Sequence, residues 1–328
     1  WIAELFSEEC IDKIGRCCCK GDGIKGAGKE IGCSIISKNV FPLLMKISVI
    51  IPAYNASETL GEALISVEQQ HVQPFEVVVV NDGSTDDTAD VIQSFMDRLP
   101  LVCVDQENAG LGAARNAGMH AAKGDTWAFL DADDVWGTNK LAHARDYLMR
   151  FLDVQWFYTP IFEWSPGDAG ARMRERACPK IRTVEDFLAF NPIVPSTVIM
   201  RSTVAFRWEE DRELQEDAGA YLELFSKGVM PMKIPYCTTK YRLDFGMTAD
   251  AEGHVDKVMR AVEKARELGH INDAQFALYE VRKAYELART YKKRGDQAMQ
   301  KHWKEEALRK AEGVEVPARL KWRLRFLI

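Results

Sequence analysis

The stretch WAFLDADDVW, from Trp127 to Trp136, joins a short apolar run to three closely spaced carboxylates. The apolar residues are typical of a buried β-strand. A helix cap needs only one acidic residue, so Asp131, Asp133 and Asp134 would repel one another without compensation. Carboxylate oxygens are ligands that Mg²⁺ and Mn²⁺ prefer, and these cations commonly keep phosphate as a co-ligand. The pattern therefore predicts a metal and phosphate site at the end of a buried strand.

Apolar runs alternate with helical patterns on the N-terminal side of this stretch. Ser57 is the predicted N-cap of the first helix. Strands that are apolar throughout and alternate with helices form a parallel sheet covered on both faces. The sequence thus predicts an α/β fold, a Rossmann-like, mostly parallel sheet flanked by helices. The predicted strands are Ile47–Pro52, Phe75–Val80, Leu101–Val104 and Trp127–Leu130, and the predicted helices are Ser57–Gln70, Asp87–Arg98 and Leu111–Ala122.

The loops after these strands read PAYN, NDGSTDD, DQENAG and DADD. Right-handed crossovers place all such loops at one edge of the sheet, where ligands bind in folds of this kind. Three of the four loops carry acidic residues. Asp82, in NDGS, fits either a turn residue that caps the next helix or a carboxylate that accepts hydrogen bonds from a base or ribose.

Charge and cysteine content narrow the class of protein. The 328 residues carry 43 Lys and Arg against 49 Asp and Glu, a net charge of −6, which does not favour nucleic acid as a partner. No apolar run approaches the roughly 18 to 20 residues that span a bilayer. The eight cysteines form no CxxC pair, so the sequence favours a reduced, cytoplasmic protein.

Residues 1–44 differ in pattern from the rest of the chain. They show no sustained helix or strand period, and their glycine motif GDGIKG comes after GRCCCK, a poor strand, so a phosphate-binding loop is not favoured. MKISVIIPAYN, from Met45, reads like a natural beginning. We expect residues 1–44 to be a poorly structured leader or a non-native extension, with a short helix on the main domain as the alternative.

The five motifs SVIIPAYN, LGEALISVEQQ, VVVVNDGSTDDT, ENAGLGAARNAG and AFLDADD occur in this order from Ile47 to about Leu141. This segment resembles the nucleotide-binding half of family 2 glycosyltransferases, which have the GT-A fold. The resemblance implies a nucleotide-diphosphate sugar donor, with UDP favoured, and a divalent cation, Mg²⁺ or Mn²⁺. It also implies a saccharide or lipid-linked acceptor, in the synthesis of a cell-surface polysaccharide or glycolipid. The expected GT-A domain covers 45–248, with a nucleotide-binding half at 45–150 and an acceptor half at 151–248.

The resemblance implies a role for each matching residue. Tyr54 would lie against the base and Asp82 would hydrogen-bond it. Arg115 would help to fix the base or diphosphate, unless it forms a salt bridge within its own helix. Asp131 would contact the ribose, and Asp134 would orient the metal shell or the donor sugar. The implied donor-binding residues are Pro52, Tyr54, Asn55, Asp82, Arg115, Asp131, Ala132 and Asp134, and the implied metal ligands are Asp133 and Asp131.

Transfer of a sugar also needs a base that takes the proton of the acceptor hydroxyl. In the family this base comes from an acidic pair, which LQEDAGAYLELF matches with Glu216 and Asp217. We predict Asp217 as the base with Glu216 supporting it, and an inverting mechanism. The alternative is an acidic helix start favoured by the helix dipole. Trp136 fits equally well an acceptor sugar contact or a core position.

The remaining segments leave alternatives open. The Arg-rich span 156–182 is either a solvated loop or one that covers the donor or grips a phosphorylated acceptor. Residues 249–328 have a helical pattern, with a break at Gly295-Asp296. The end, Arg319–Ile328, alternates basic and apolar residues, which fits an edge strand or surface patch, or a peripheral contact with anionic lipid at the inner face of the membrane.

Two rival functions are less favoured. A sugar-phosphate nucleotidyltransferase shares the sheet but needs a glycine-rich basic loop after its first strand, and PAYNASETL has no such loop. A catalytically inactive GT-A scaffold protein would have no need of the complete acidic set.

Overall fold

The computed structural model describes residues 45–164, 173–243 and 251–325, so the predictions for 1–44 lie outside the described residues. Two sheets carry the fold. The strands are β1 (Ile47–Ala53), β2 (Glu76–Asp82), β3 (Leu101–Gln106), β4 (Thr126–Phe129), β5 (Val135–Trp136), β6 (Trp156–Tyr158), β7 (Ile161–Trp164), β8 (Arg174–Glu175), β9 (Ile199–Arg201), β10 (Met232–Lys233) and β11 (Thr239–Arg242). The helices are α1 (Leu60–Glu68), α2 (Thr88–Ser94), α3 (Leu111–Ala121), α4 (Lys140–Arg150), α5 (Val184–Ala189), α6 (Ala218–Ser226), α7 (Ala251–Glu267), α8 (Asp273–Arg294), α9 (Gln297–Lys310) and α10 (Ala318–Arg325).

The larger sheet has seven strands in the order β10-β6-β9-β4-β1-β2-β3. Strand β1 pairs in parallel with β2 and β4, and β2 pairs in parallel with β3. Every residue of β1 and β2 is buried, as expected for strands covered on both faces. Strand β9 is antiparallel to both of its neighbours. The prediction of a mostly parallel α/β sheet flanked by helices is confirmed.

Helix α1 begins later than the sequence predicts. Its N-cap is Thr59, whose side chain makes no capping bond. The backbone N–H of Ser57 donates instead to Asp86 Oδ2 in the neighbouring loop, at 3.0 Å. The prediction of Ser57 as the cap is therefore wrong, because this part of the chain serves the contact between two loops. Helix α2 is also shorter than predicted and ends at Ser94.

The span 156–182, which the sequence suggested to be a loop, contains regular secondary structure. It contains β6, β7 and β8, although residues 165–172 lie outside the described part of the chain. The smaller sheet has the order β5-β11-β7-β8. Strand β5 comes directly after the carboxylate stretch and pairs antiparallel with β11. This sheet therefore brings β11 next to the acidic turn.

The C-terminal helices pack onto the sheet domain, and the described residues from Lys46 onward belong to one compact unit. Val281 on α8 and Leu320 on α10 belong to the same apolar core as Trp156 and Tyr221. The predicted break at Gly295 is confirmed, since this residue caps α8 in a left-handed conformation. No helix among the described residues has the length and apolar character that crossing a bilayer requires.

Of the alternatives that the sequence left open for the C-terminal segment, the edge strand is excluded for 318–325, because these residues form helix α10. Leu320 and Leu324 are buried four residues apart on one face of this helix. Trp322 is 61% exposed. The alternation of basic and apolar residues thus reflects a docked amphipathic helix.

Candidate donor and acceptor sites

Two loops at the carboxyl edge of the sheet are tied to each other. Asn55, in PAYN, accepts a hydrogen bond from Thr85 N at 2.8 Å, and its own N–H donates to Ser84 Oγ at 3.0 Å. The N–H of Ala56 donates to Thr88 Oγ1 at 2.8 Å. Asn55 has a φ of 47°, a conformation that asparagine tolerates better than most residues. The predicted donor residue Asn55 therefore shapes the loop that presents Tyr54.

Asp82 organises the neighbouring loop from a buried position. Its carboxylate accepts hydrogen bonds from Gln106 Nε2 at 2.6 Å, from Ala109 N at 2.8 Å and from Gly110 N at 2.9 Å. Gly110 has a φ of 92°, which favours glycine. Asp82 therefore fixes the loop that leads into α3, and three of its acceptor positions are filled by the protein itself.

A cleft of about 760 Å³ opens beside these loops, and we call it the donor cleft. Tyr54 is 52% exposed, in keeping with an aromatic ring available for stacking. A β-carbon at Gly112 would lie 1.7 Å from Glu209 O, so only glycine lets 207–216 approach the start of α3. The lining includes Pro52, Tyr54, Asn55, Asp82, Asp131, Ala132, Asp133, Arg212, Glu216 and Tyr241.

The residues LDADD form a tight turn at the end of β4. The N–H of Asp134 donates to Asp131 O at 3.1 Å, and that of Asp131 donates to Ser196 Oγ at 3.0 Å. Arg242, on β11, donates its backbone N–H to Asp134 Oδ1 and its Nε to Asp133 O. The smaller sheet thus fixes the acidic turn from the opposite side.

Arg115 joins two carboxylates that are far apart in sequence. This guanidinium is buried and lies 2.5 Å from Asp131 Oδ1 and 2.8 Å from Glu216 Oε1. It also stacks over the ring of Trp208 at 4.8 Å. Burial would lower the pKa of Arg115, but the charges of Asp131 and Glu216 outweigh it and raise that pKa. Arg115 does form salt bridges, as one alternative from the sequence proposed, but its partners Asp131 and Glu216 lie outside helix α3.

The negative charges of Asp133 and Asp134, the other two carboxylates of the turn, are less well balanced by nearby cations than that of Asp131. Burial, and then the charge of Asp131, raises the pKa of Asp133 to about 6. The same two causes raise the pKa of Asp134 well above its ordinary value. Asp133 lines the donor cleft, whereas Asp134 is 1% exposed and faces β11. Asp134 therefore supports the turn from behind.

A second cavity, of about 540 Å³, is lined by Arg115 and by both of its carboxylate partners, and we call it the acceptor cavity. Asp217 lines it and is the N-cap residue of α6. Burial, and then the charge of Glu216, raises the pKa of Asp217 to about 7. Asp131, Glu216 and Tyr241 line both the donor cleft and the acceptor cavity. The two cavities therefore share a wall of carboxylates held by one arginine.

The sequence allowed two roles for Trp136, an acceptor sugar contact or a core position, and the structure places it in the core. It is 3% exposed, and its Nε1 donates to Ser196 O at 2.9 Å. A ring held in this way has no face for an acceptor sugar, so the assignment of Trp136 to the acceptor site is wrong. Sequence reasoning missed Ser196 and Tyr241 as site residues.

The residues present fit a divalent cation only with help from a ligand. No three His, Cys, Asp or Glu side chains in the described ranges converge as a ready-made metal site. Asp133 and the partly exposed Asp131 face the donor cleft, and Asp131 already shares one oxygen with Arg115. Hard cations accept such carboxylates together with phosphate oxygens. The donor set therefore suits a cation that arrives with a diphosphate.

The mostly parallel sheet with its flanking helices has the GT-A fold. Residues 48–197 match the family model described as Glycosyl transferase family 2. The chain is 28% identical over 209 residues to the putative teichuronic acid biosynthesis glycosyltransferase TuaG of Bacillus subtilis, covering 60% of this chain and 79% of the relative. The chain spans 31% of the length of another curated relative, with which 99 residues are 48% identical.

Two solved structures share the fold. The crystal structure of S. aureus TarS 1-349 in complex with UDP-GlcNAc has a TM-score of 0.58 and 20% identity, covering 86% of this chain and 87% of that chain. Glucosyl-3-phosphoglycerate synthase from Mycobacterium tuberculosis, in complex with Mn²⁺, UDP and phosphoglyceric acid, has a TM-score of 0.50 and 16% identity, covering 74% and 84%. At these identities the likeness shows the fold alone.

Proposed function

We propose that this protein transfers a sugar from a UDP-sugar, with a divalent cation, to a hydroxyl of a cell-surface saccharide or lipid-linked acceptor. The observation that carries the proposal is the wall shared by the two cavities. Asp131 lines both cavities, Asp217 lines only the acceptor cavity, and Arg115 binds Asp131 and Glu216. A donor and an acceptor bound on either side of this wall would bring their reacting atoms together.

Each of the protein's own site residues would have a distinct part in the reaction. Tyr54 would stack on the base at the mouth of the donor cleft, and Asp131 and Asp133 would hold the cation with the diphosphate. The bound cation would supply charge stabilisation of the leaving diphosphate. Asp217 would take the proton of the attacking hydroxyl, and a pKa of about 7 suits a base that works near neutral pH.

Inversion of the anomeric centre results if the activated hydroxyl attacks the anomeric carbon directly. Arg115 Nη1 lies 2.8 Å from Glu216 Oε1, and helix α6 begins directly after Asp217. The ion pair and the helix start fix these two side chains beside the acceptor cavity. We assign Glu216 a positioning role, since its ion pair orients the wall and its charge adds to burial in raising the pKa of Asp217. No separate carboxylate is needed as a nucleophile.

The cellular setting is part of the same proposal. TuaG is named for teichuronic acid biosynthesis, and an enzyme that uses nucleotide sugars for surface polymers would work on the cytoplasmic side of the membrane. Helix α10 presents exposed Trp322 among basic residues, which supports a peripheral contact with anionic lipid.

A thermal-shift panel of nucleoside diphosphates, with and without Mn²⁺, tests the donor assignment. UDP with Mn²⁺ should raise the melting temperature more than UDP alone, because a ligand that binds only the folded state stabilises it. The other nucleotides provide the matched controls. Equal stabilisation by all nucleotides, or none by any of them, would contradict the proposal.

A further inference from the structure

The acceptor cavity has a basic lining beyond its catalytic wall. Its carboxylates are Asp131, Glu216 and Asp217 at the wall, with Glu163 and Glu286 elsewhere. Apart from Arg115, six cationic side chains from three separate parts of the chain reach the same cavity. They are Arg174, Arg176, Arg282, Arg289, Lys293 and Arg323.

Three of these cations form one row on helix α8. Arg282, Arg289 and Lys293 are spaced by seven and four residues, which places them on one face of a helix. At a rise of about 1.5 Å per residue, the row extends for roughly 16 Å along the cavity. A row of this length can contact more than one anionic group at a time.

The members of the row differ in what they already bind. Arg282 is committed to the fold, since its Nε lies 3.0 Å from Glu286 Oε1 and its Nη1 donates to Phe187 O at 3.2 Å. Arg289 and Lys293 are exposed, and no carboxylate in the described residues forms an ion pair with either of them. These two side chains can therefore take an external anion without breaking an internal ion pair.

Strand β8 and the residue that follows it supply two more cations to the same cavity. Arg174 is exposed and lies opposite Glu163 in the β7–β8 pair, while Arg176 donates from Nη2 to Asn191 O at 3.2 Å. Arginine side chains from β8 and the row on α8 thus converge on one space from different elements. Arginine binds phosphate through paired N–H donors. The seven Arg and Lys side chains of the cavity outnumber its five carboxylates, so its charge favours an anionic ligand.

We propose that the acceptor carries phosphate groups, which Arg174, Arg289 and Lys293 bind while the reacting hydroxyl lies at Asp217. This inference rests on the proposed transferase function, because it names the class of molecule that the acceptor cavity takes. Two acceptors share this chemistry, a phosphodiester chain and a saccharide linked to lipid by a diphosphate. Both present phosphate oxygens near a free hydroxyl.

Fluorescence anisotropy with labelled probes tests the proposal, in the presence of UDP and Mn²⁺. The probes are a short glycerol phosphate oligomer, a neutral oligosaccharide of similar length, and one disaccharide carried in neutral detergent micelles either by a polyprenyl diphosphate or by an uncharged lipid. At least one phosphate-bearing probe should bind about tenfold or more tightly than its neutral counterpart. Added salt should reduce this preference. The probe that binds identifies the source of the phosphate.

The variant Arg289→Ala/Lys293→Ala should lose most of the preference. The matched control is Arg150→Ala/Lys301→Ala, which removes the same two charge types from exposed positions on α4 and α9. Equal binding of charged and neutral probes, no binding of any probe, or an equal loss in both double variants would overturn the proposal. Stabilisation by UDP with Mn²⁺ should be the same in both variants. Its absence in the unaltered protein would instead count against the transferase function.

Discussion

Arg115 and Lys140 are both buried cations, but their surroundings are opposite. Arg115 lies between Asp131 and Glu216, and these charges raise its pKa. Lys140 Nζ donates to two neutral oxygens, Thr159 Oγ1 and Thr197 O, both at 3.1 Å, and lies 5.5 Å from the centre of the Trp136 ring. Burial lowers the pKa of Lys140 to about 7.

The difference separates a functional charge from a structural one. Arg115 neutralises carboxylates that the donor and acceptor sites need in fixed positions. Lys140 links the strand region around Thr159 to the turn before β9 and faces neither cavity. Removing the first should therefore affect both stability and activity, whereas removing the second should affect stability alone.

Arg115→Met should have the largest effect. It leaves two carboxylates buried without their partner, so we expect the free energy of unfolding to fall by about 3–5 kcal/mol. Turnover should be lost as well, because the shared wall would no longer be fixed. Chemical denaturation measures the first effect, and sugar transfer measures the second.

Arg115→Lys is the matched control for this change. It retains a positive charge but cannot bind both carboxylates with a planar fork. We expect it to retain more stability than Arg115→Met and to remain strongly impaired in turnover. Full activity in either variant would show that the Arg115 ion pairs do not organise the site.

Asp217→Asn tests the carboxylate of this wall that Arg115 does not bind. The amide keeps the shape of the side chain but cannot act as a base, so kcat should fall by about 10²–10⁴. Binding of UDP should stay unchanged, because Asp217 lines only the acceptor cavity. A kcat within a few-fold of the unaltered protein would exclude Asp217 as the base.

The pH dependence of turnover gives a second test of Asp217. Its pKa is raised to about 7, so the carboxyl is protonated and inactive as a base at lower pH. Turnover should therefore rise as the pH increases through about 7 and then level off. The residual activity of Asp217→Asn should not show this rise. A profile with the same rise in the variant would assign the titration to another group.

Lys140→Met should have the smallest effect. The unfolded chain holds the Lys140 proton to higher pH than the folded chain does, so between the folded pKa of about 7 and the ordinary value the unfolded state binds more protons. The free energy of unfolding should therefore gain about 1 kcal/mol from this group between about pH 7 and about pH 8. Chemical denaturation at both pH values gives the free energy of unfolding of the unaltered protein and of Lys140→Met. The difference between the two proteins should change by this amount from the lower pH to the higher. An unchanged difference would mean that Lys140 keeps its proton in the fold.

The sequence predicted the parts of the site that depend on strand ends. Asp82 and Asp131 come at the ends of buried apolar runs, and parallel strands bring such positions to one edge. The ion pair of Arg115 with Glu216 joins residues 101 positions apart, and no local period reports it. Trp136 was ambiguous because a two-residue strand gives no clear inward face.

Other errors came from competing patterns. The alternating end of the chain suggested a strand, although Leu320 and Leu324 also fit the spacing of one helix face, and burial matches that spacing. Ser57 looked like a cap, but its backbone binds Asp86 instead. Burial opposes the ionisation of Asp86, yet hydrogen bonds from Thr88 and Ser57 outweigh it and lower the pKa of Asp86 to about 2.

The affinity for UDP, measured by calorimetry with and without Mn²⁺ in the unaltered protein, in Asp133→Ala and in Asp217→Asn, tests the central claim most directly. Asp133 lines the donor cleft and Asp217 lines only the acceptor cavity. Mn²⁺ should therefore strengthen UDP binding in the unaltered protein and in Asp217→Asn, and should have little effect in Asp133→Ala. The opposite pattern, with the metal effect lost in Asp217→Asn and kept in Asp133→Ala, would contradict the assignment of the two cavities.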